Sequence, residues 1–454
     1  MAVEFVPIDR DTPYLLPPSV QDYLPPDHLA RFVVDIVDQL DLSQLSAVYA
    51  GRGSRPYHPA MMLALLFYGY STGTFSSRKL EKATYDSIAY RYICANTYPD
   101  HDSINSFRKR FLRELKGLFV EILVIAHRIG TLKLGAISLD GTKIKANASK
   151  HKALSWQYAN ALEAQLTQEV AALMQLAERA DNSELPDELI IPDEISRRED
   201  RLAVIRRAKE EIKARVRERD AKNQAEYEEK VTKRQQDEQR TGKKPRGKAP
   251  TPPTPGPQDK DQVNLTDAES RIMPSADGGF VQAYNAQASV DIDSGLIVTH
   301  HITQQPNDKQ EVEATLAQLD ALQAAVGKPS DLLADTGYLS ERNVTLCLDQ
   351  DITPSISTSR QRHNVPLAER LKPLLEGEPA ATNDPVEVMA LRLGTAAGRA
   401  LYAKRKSTIE PTFGIIKHVL GFRQFLLRGL VAVEGEWDLV CIAFNLKRLH
   451  VLSG

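Results

Sequence analysis

Cysteine is scarce in this sequence. The 454 residues hold only Cys94, Cys347 and Cys441, far apart and without a CxxC pair. That argues against a disulfide framework and a thiolate zinc site, and it suits a reducing compartment. There is no apolar run long enough to span a bilayer, so no membrane partner is expected. The start, MAVEFVPIDRDTPYLLPPS, has neither the basic beginning nor the apolar stretch of a signal peptide, and a cytoplasmic location is expected. Charge of one sign is lacking too: 58 Lys and Arg against 60 Asp and Glu leave −2. That sum does not announce a nucleic-acid binder, so the distribution of charge has to be read instead. No repeat recurs at a fixed period. What is present is ordinary for a globular protein, 42% hydrophobic and 26% charged residues, in a chain long enough for two or three domains.

The first 130 residues read as helical. HPAMMLALLFYGYSTG is a compact apolar helix. SSRKLEKATYDSIAYRYI has helical spacing, with Leu80, Ala83, Ile88 and Tyr92 on one face. A further helix follows PDHDS, capped by Asp102 or Ser103 and with His101 at its start. It carries Arg108, Lys109, Arg110 and Arg113. This basic face suits either solvent or a phosphate backbone.

Strand character appears at 134–147. From 151 to 262 the composition changes to that of an insertion. Two long charged helical segments carry acids mainly in 151–200 and bases in 201–260, and Leu162, Leu166, Val170 and Leu173 give one apolar stripe, as in an amphipathic hairpin. RTGKKPRGKAPTPPTPGPQDKDQ predicts a flexible linker or disordered loop. Beyond 279, two strand-like runs meet at Asp293-Ser294-Gly295 as a hairpin. An amphipathic helix follows, then the strand-turn-helix PSDLLADTGYLSERNVTLCLDQ, the strand ITPSIS, a charged loop-rich stretch over 358–392 and a mostly helical end.

Three acids stand out. In LGAISLDGTKIKANASK an apolar run delivers Asp140 into Gly141, with Lys143 and Lys145 after it. In SDLLADTGYLSE, Asp335 repeats that position before Gly337. An acid at the carboxyl end of a strand suits a ligand or metal site, and an Asp beside a Gly equally suits a turn. Glu410 precedes Pro411, which predicts a helix start there. Glu410, Phe413 and Lys417 then share a face, with Lys404, Arg405 and Lys406 upstream. Glu410 is thus either an ion-paired surface residue or a metal ligand beside phosphate-binding cations. Three carboxylates together can hold hard cations such as Mg²⁺, and two such ions activate water or a 3′-OH on a phosphodiester. His300 and His301 alternate on a strand and read as incidental. SLDGT is similar to the nucleophile motif of haloacid-dehalogenase-type phosphatases, but Ser138 stands where the nucleophilic Asp belongs.

Taken in order, five blocks resemble the bacterial insertion-sequence transposases of the DDE type: YPDHDSINSFRKRF, ISLDGTKIKANASKHKA, LTDAESRIM with GGFVQAYNAQASVD, LLADTGYLSERN, and YAKRKSTIEPTFGIIKHVLGFRQFLLRG. The resemblance runs from about residue 45 to 450. It implies an α/β fold, an RNase H-like mixed sheet flanked by helices, with an N-terminal all-helical domain and a long helical insertion after the first catalytic strand. The implied layout is 1–130 for DNA binding, 131–450 for catalysis and 151–262 for the insertion. It further implies Asp140, Asp335 and Glu410 as catalytic and metal-binding residues for two Mg²⁺ ions, with Mn²⁺ able to substitute. A Tyr-Arg-Glu-Lys signature would be Tyr402, Arg405, Glu410 and Lys417, contacting terminal phosphates; four residues separate Arg405 from Glu410 where the family has three. Lys143 and Lys145 would lie near the DNA backbone, and Arg108, Lys109 and Arg110 would recognise the ends. The implied function is cleavage and strand transfer of double-stranded DNA at terminal inverted repeats, by a homodimer on DNA. A non-cutting DNA-binding protein and a stand-alone nuclease are the alternatives.

Overall fold

The computed structural model describes residues 19–49, 56–180, 191–242, 247–275, 278–358 and 382–453. In chain order, seven helices come first: α1 (Leu29–Val37), α2 (Ser43–Ala47), α3 (Pro59–Ser71), α4 (Ser77–Asp86), α5 (Ile88–Ile93), α6 (His101–Arg110) and α7 (Leu115–Arg128). Strand β1 (Ala136–Lys145) follows, then β2 (Ala153–Ser155), α8 (Trp156–Ala180), α9 (Ile191–Thr241), β3 (Gln262–Asn264) and β4 (Arg271–Pro274). The hairpin β5 (Phe280–Asp291) and β6 (Ile297–Thr303) leads to α10 (Glu311–Val326), β7 (Asp331–Ala334), α11 (Glu341–Asp349) and β8 (Thr353–Ile356). The chain closes with α12 (Pro385–Gly394), α13 (Ala396–Gly414) and α14 (Leu430–Ser453). Two compact units result: one takes the chain up to Lys145 and from Tyr284 on, the other takes Ala146–Ala283.

In the first unit the strands run β6-β5-β1-β7-β8. β5 and β6 are antiparallel; β1, β7 and β8 are parallel. The short apolar runs Leu332–Ala334 and Pro354–Ile356 are buried, as strands inside a parallel sheet require. The hairpin turns at Gly295, whose φ of +71° suits glycine, while Asp291 accepts from the Ser294 backbone and hydroxyl. α3 is apolar and buried nearly all round; α14 is buried over most of 433–446, where it also encloses Glu436, Asp438 and Asn445, and it packs on α3, α7 and β6. The N-terminal helices and the sheet therefore share one core. His300 and His301 are both buried and tied to acids, His300 to Asp438 at 2.6 Å and His301 to Glu311 at 3.0 Å. They are structural partners rather than incidental residues.

Local expectations shift in three places. The single helix expected over 76–93 is two, because Ser87 is extended (φ −118°, ψ 127°) and leaves Ile88 exposed. α6 starts at His101 and is capped by Asp100, whose carboxylate accepts from the Ser103 N–H and hydroxyl. Of the loop-rich stretch 358–392, residues 359–381 lie outside the described residues; the rest enters α12, capped by Asp384.

The second unit is a helical hairpin on its own core. Leu154, Ala159 and Leu166 pack with Leu202, Ile205, Ala208, Ile212, Val216 and Val263; Leu162 and Val170 border them. The segregation of charge along the sequence is the pairing code: Glu163 of α8 meets Arg206 and Lys209 of α9, and Glu169 meets Arg198. Within the Pro-rich segment, 243–246 lie outside the described residues. The remainder is held against α9 rather than forming a free linker. Arg219 binds Asp261 and the Gly256 carbonyl, Asp220 accepts from the Gly256 N–H, and Arg234 donates to the Gly247 carbonyl. Among the described residues no helix is long and apolar enough to cross a membrane.

Candidate active site

The parallel register aligns Ser138 of β1 with Leu333 of β7. Counting two residues further along each strand brings Asp140 level with Asp335, on adjacent strands roughly 4.8 Å apart. Asp335 follows the last residue of β7, at the carboxyl end of the sheet where ligands of open α/β sheets bind, whereas Asp140 lies mid-strand, because β1 runs on to Lys145 rather than turning at Gly141. Asp140 Oδ1 accepts from the Gly141 N–H at 2.8 Å. Asp335 Oδ1 accepts from the Gly337 N–H at 2.8 Å and caps the turn Thr336–Tyr338. Each acid thus uses one oxygen on a local backbone N–H, Asp335 as the cap of a turn and Asp140 within its strand.

Glu410 does not start a helix. It lies in the last turns of α13, with Pro411 inside the helix. Proline there removes the N–H that would donate to the Ser407 carbonyl, a loss tolerated near a helix end and next to the wider π turn Ile415–Val419. That wider turn rotates Lys417 away from the simple i, i+7 face. Its ammonium reaches Thr142 Oγ1 and, at 3.0 Å, the Lys143 carbonyl on β1.

Arg405 joins the acids. Its guanidinium donates to Asp140 Oδ2 at 2.8 Å and lies 3.7 Å from Glu410 Oε1. The extra residue between Arg405 and Glu410 does not prevent their pairing. The Arg405 side chain is 9% exposed, Asp140 20% and Glu410 54%, so the pair with Asp140 is inner and Glu410 faces outward. Burial pushes the Asp140 carboxyl up to about 6; Arg405 and the Gly141 N–H oppose this, and the negative charges of Asp335 and Asp308 add to it. Tyr402 donates to the Ala334 carbonyl, one residue before Asp335, and burial raises its hydroxyl pKa.

Three expected DNA contacts are turned elsewhere. Arg108 is buried, donating to the Tyr70 hydroxyl at 3.1 Å and the Phe75 carbonyl at 3.0 Å; it serves the core because those acceptors are enclosed with it. Lys143 points to Asp308, at 3.3 Å, and is 20% exposed. Lys417 is partly buried and spent on β1. Lys109, Arg110 and Lys145 are exposed; Arg110 also lies over the Tyr49 ring at 5.4 Å.

Residues missed in the sequence gather beneath Asp140. Asp308 Oδ1 accepts from Asn285 Nδ2 and Gln287 Nε2, both at 2.7 Å, as well as from Lys143. Gln287 in turn accepts from the Tyr338 hydroxyl. A signal was available: Asn285, Gln287 and Ser289 alternate with apolar residues over 283–290 of β5, and buried polar groups need partners.

Comparison with known families completes this picture. A family model described as a transposase domain matches residues 18–110, and one described as a transposase DDE domain matches residues 375–450. The two matches support an insertion-sequence DDE transposase family for the chain. No curated protein and no solved structure matches it. In this transposase both matches lie in the unit that holds the sheet. The second takes in Tyr402, Arg405, Glu410 and Lys417, whereas Asp140 and Asp335 lie outside both and stand on geometry alone.

Oxygen donors are the groups that hard divalent cations prefer, and the three acids supply nothing else. Among the described residues no group of three His, Cys, Asp or Glu already stands at metal-binding spacing. The Arg405 guanidinium takes the Asp140 oxygen that a cation would need. The donor chemistry fits a divalent ion once Arg405 moves off that oxygen.

Proposed function

We propose that this transposase cuts double-stranded DNA at the terminal inverted repeats of its element and joins the freed 3′ ends to target DNA. On this reading residues 131–450 form an RNase H-like catalytic domain, 1–130 recognise the ends, 151–262 are an insertion, and two copies bring two ends together. The single observation that carries it is the juxtaposition of Asp140 and Asp335 by strand register, with Arg405 linking Asp140 to Glu410. The strand order, the third, second, first, fourth and fifth strands of that unit's sheet, supports the RNase H-like reading.

Asp140, Asp335 and Glu410 would hold two Mg²⁺ ions, with Mn²⁺ able to substitute. Such ions supply a deprotonated nucleophile and charge stabilisation on the phosphodiester. The chain's own groups do the rest. β1 and β7 hold two carboxylates rigidly side by side, so little is spent on positioning. Arg405, released from Asp140, has the planar fork that binds a phosphate bidentately. Tyr402, tied to the end of β7, and Lys417, tied to β1, keep α13 and its π turn in register with the two strands. Lys145, Lys109 and Arg110 are among the exposed cations available for backbone phosphates.

Asp335→Asn tests the reading. It preserves the shape of the turn and removes the charge. Retained binding of end DNA with lost cleavage supports it; cleavage at the wild-type rate refutes it.

A further inference from the structure

Beneath the acids lies a polar network that the cleavage chemistry above does not use. We propose that Asp308 is a positioning residue for the reaction: it locks the strand that carries Asp140 to the turn that carries Asp335. The inference rests on the reading of those two acids as metal ligands.

Asp308 stands just before α10, its carbonyl accepting from the Glu311 N–H at 3.1 Å. Three donors converge on its Oδ1: the amides of Asn285 and Gln287 and the ammonium of Lys143. A carboxylate oxygen has the acceptor capacity that an ammonium and two amides converging on it require. Asn285 and Gln287 are fully buried, and Asn285 Oδ1 accepts the Gln287 amide at 3.1 Å. Gln287 Oε1 accepts the hydroxyl of Tyr338, itself fully buried. Tyr338 closes the turn that begins at Asp335, donating its N–H to the Asp335 carbonyl at 3.2 Å. Lys143 is three residues past Asp140 on β1. One carboxylate therefore ties β1, β5 and the post-β7 turn together.

The backbone of β1 lies directly on this network. A Cβ at Gly141 would stand 2.6 Å from Asp308 Oδ1 and would overlap the Gln287 amide. Glycine is required there for close approach rather than for φ. Since Gly141 also donates to Asp140, a shift in Asp308 or Gln287 is transmitted to that acid through one residue. Without the Asp308 charge, two buried amides lose their acceptor and the Lys143 ammonium loses its partner beside Asp140.

The test is Mn²⁺ binding to the full-length protein, followed by the electron paramagnetic resonance of free Mn²⁺ without DNA. The variants are Asp308→Ala, Asp308→Asn, Tyr338→Phe and the reference Asp140→Asn. Outer-sphere partners of metal ligands typically change affinity by about 10–100-fold. Asp308→Ala should weaken Mn²⁺ about tenfold. Asp308→Asn, which keeps an acceptor, and Tyr338→Phe, which keeps the ring, should fall between it and wild type. The Asp308→Ala/Tyr338→Phe double variant should lose less than the product of the single losses, because both act on one chain of contacts. Should the alanine variant fail to fold, Asp308→Asn and Tyr338→Phe carry the test. Thermal melts that drop while Mn²⁺ affinity stays within about twofold of wild type in every folded variant would make Asp308 merely structural and overturn the inference. If Asp140→Asn itself binds Mn²⁺ like wild type, the metal-ligand reading of the site fails, and this inference with it.

Discussion

Neutralising Asp140 should stabilise the metal-free protein while removing its activity. The Asp140 carboxyl is raised from 3.8 to about 6, burial being the largest cause, with Arg405 already opposing it. One pH unit of such a shift corresponds to about 1.4 kcal/mol, so ionising Asp140 in the folded state costs about 3 kcal/mol at neutral pH. The folded protein binds this proton more tightly than the unfolded chain does. The cost is therefore absent below 3.8, grows as pH rises and is complete above about 6. Asp140→Asn has nearly the same shape, keeps an acceptor for the Gly141 N–H and carries no charge to desolvate. In EDTA at pH 7 it should be about 2–3 kcal/mol more stable than wild type, read as a higher denaturant midpoint, and the advantage should vanish near pH 4. Adding Mg²⁺ should stabilise the wild type and not the variant. A variant equal to or weaker than wild type at pH 7, or an advantage that persists unchanged at low pH, would refute the assignment of Asp140 as a desolvated acid held ready for a cation.

Other consequences follow from the same contacts. Arg405→Gln removes the cation that opposes burial at Asp140, so the carboxyl takes up a proton at pH 7 and the cost in EDTA is limited to about 1.4 kcal/mol, the single unit between pH 7 and about 6, with saturating Mg²⁺ restoring most of the midpoint; a variant that Mg²⁺ does not rescue would count against Arg405 holding the cation's place. Lys109→Ala and Arg110→Ala should weaken binding to any DNA and lower the salt slope by about one each, whereas Arg108→Ala should lower the thermal midpoint through the lost Tyr70 and Phe75 bonds; equal effects of all three on the slope would contradict the buried placement of Arg108. In the helical hairpin, Ile212→Ala should cost about 2–4 kcal/mol, and Glu163→Gln under about 1 kcal/mol despite its two cationic partners, as urea titrations would show.

How legible this was depended on the range of the interactions. The strands carrying Asp140 and Asp335 could be read because each begins as a short apolar run leading to an acid, a local pattern; the continuation of β1 past Asp140 to Lys145 was not expected from the Asp-Gly pair. Their being neighbours could not, since the pairing of Ala136–Ser138 with Asp331–Leu333 closes a loop that contains the whole helical insertion. α14 was readable as helix from composition, yet its burial on α3 is a contact between the two ends of the chain. Glu410 was misplaced at a helix start because a proline is cheapest there, whereas the neighbouring π turn accommodates it near a helix end. The basic run at 108–110 gave no hint of which side chain turns inward, as the partners that enclose Arg108, Tyr70 and Phe75, lie more than thirty residues upstream and only Asn105 is local. Asp308 sat unremarked before a helix; only the fold brings it under Asn285, Gln287 and Lys143.

The central claim, that Asp140, Asp335 and Glu410 make a metal-dependent transposase site, is tested most directly by incubating purified protein with DNA carrying the repeats that flank its own gene, in Mg²⁺ and in EDTA, beside a second DNA as target. The account predicts nicks at the 3′ ends of the repeats and joining of those ends to the target, in Mg²⁺ and not in EDTA, with both lost in Asp335→Asn. Tight end binding without any nick, in Mg²⁺ and in Mn²⁺ alike, would contradict it and leave a DNA-binding protein that does not cut; nicking of DNA without the repeats and without joining would leave a nuclease.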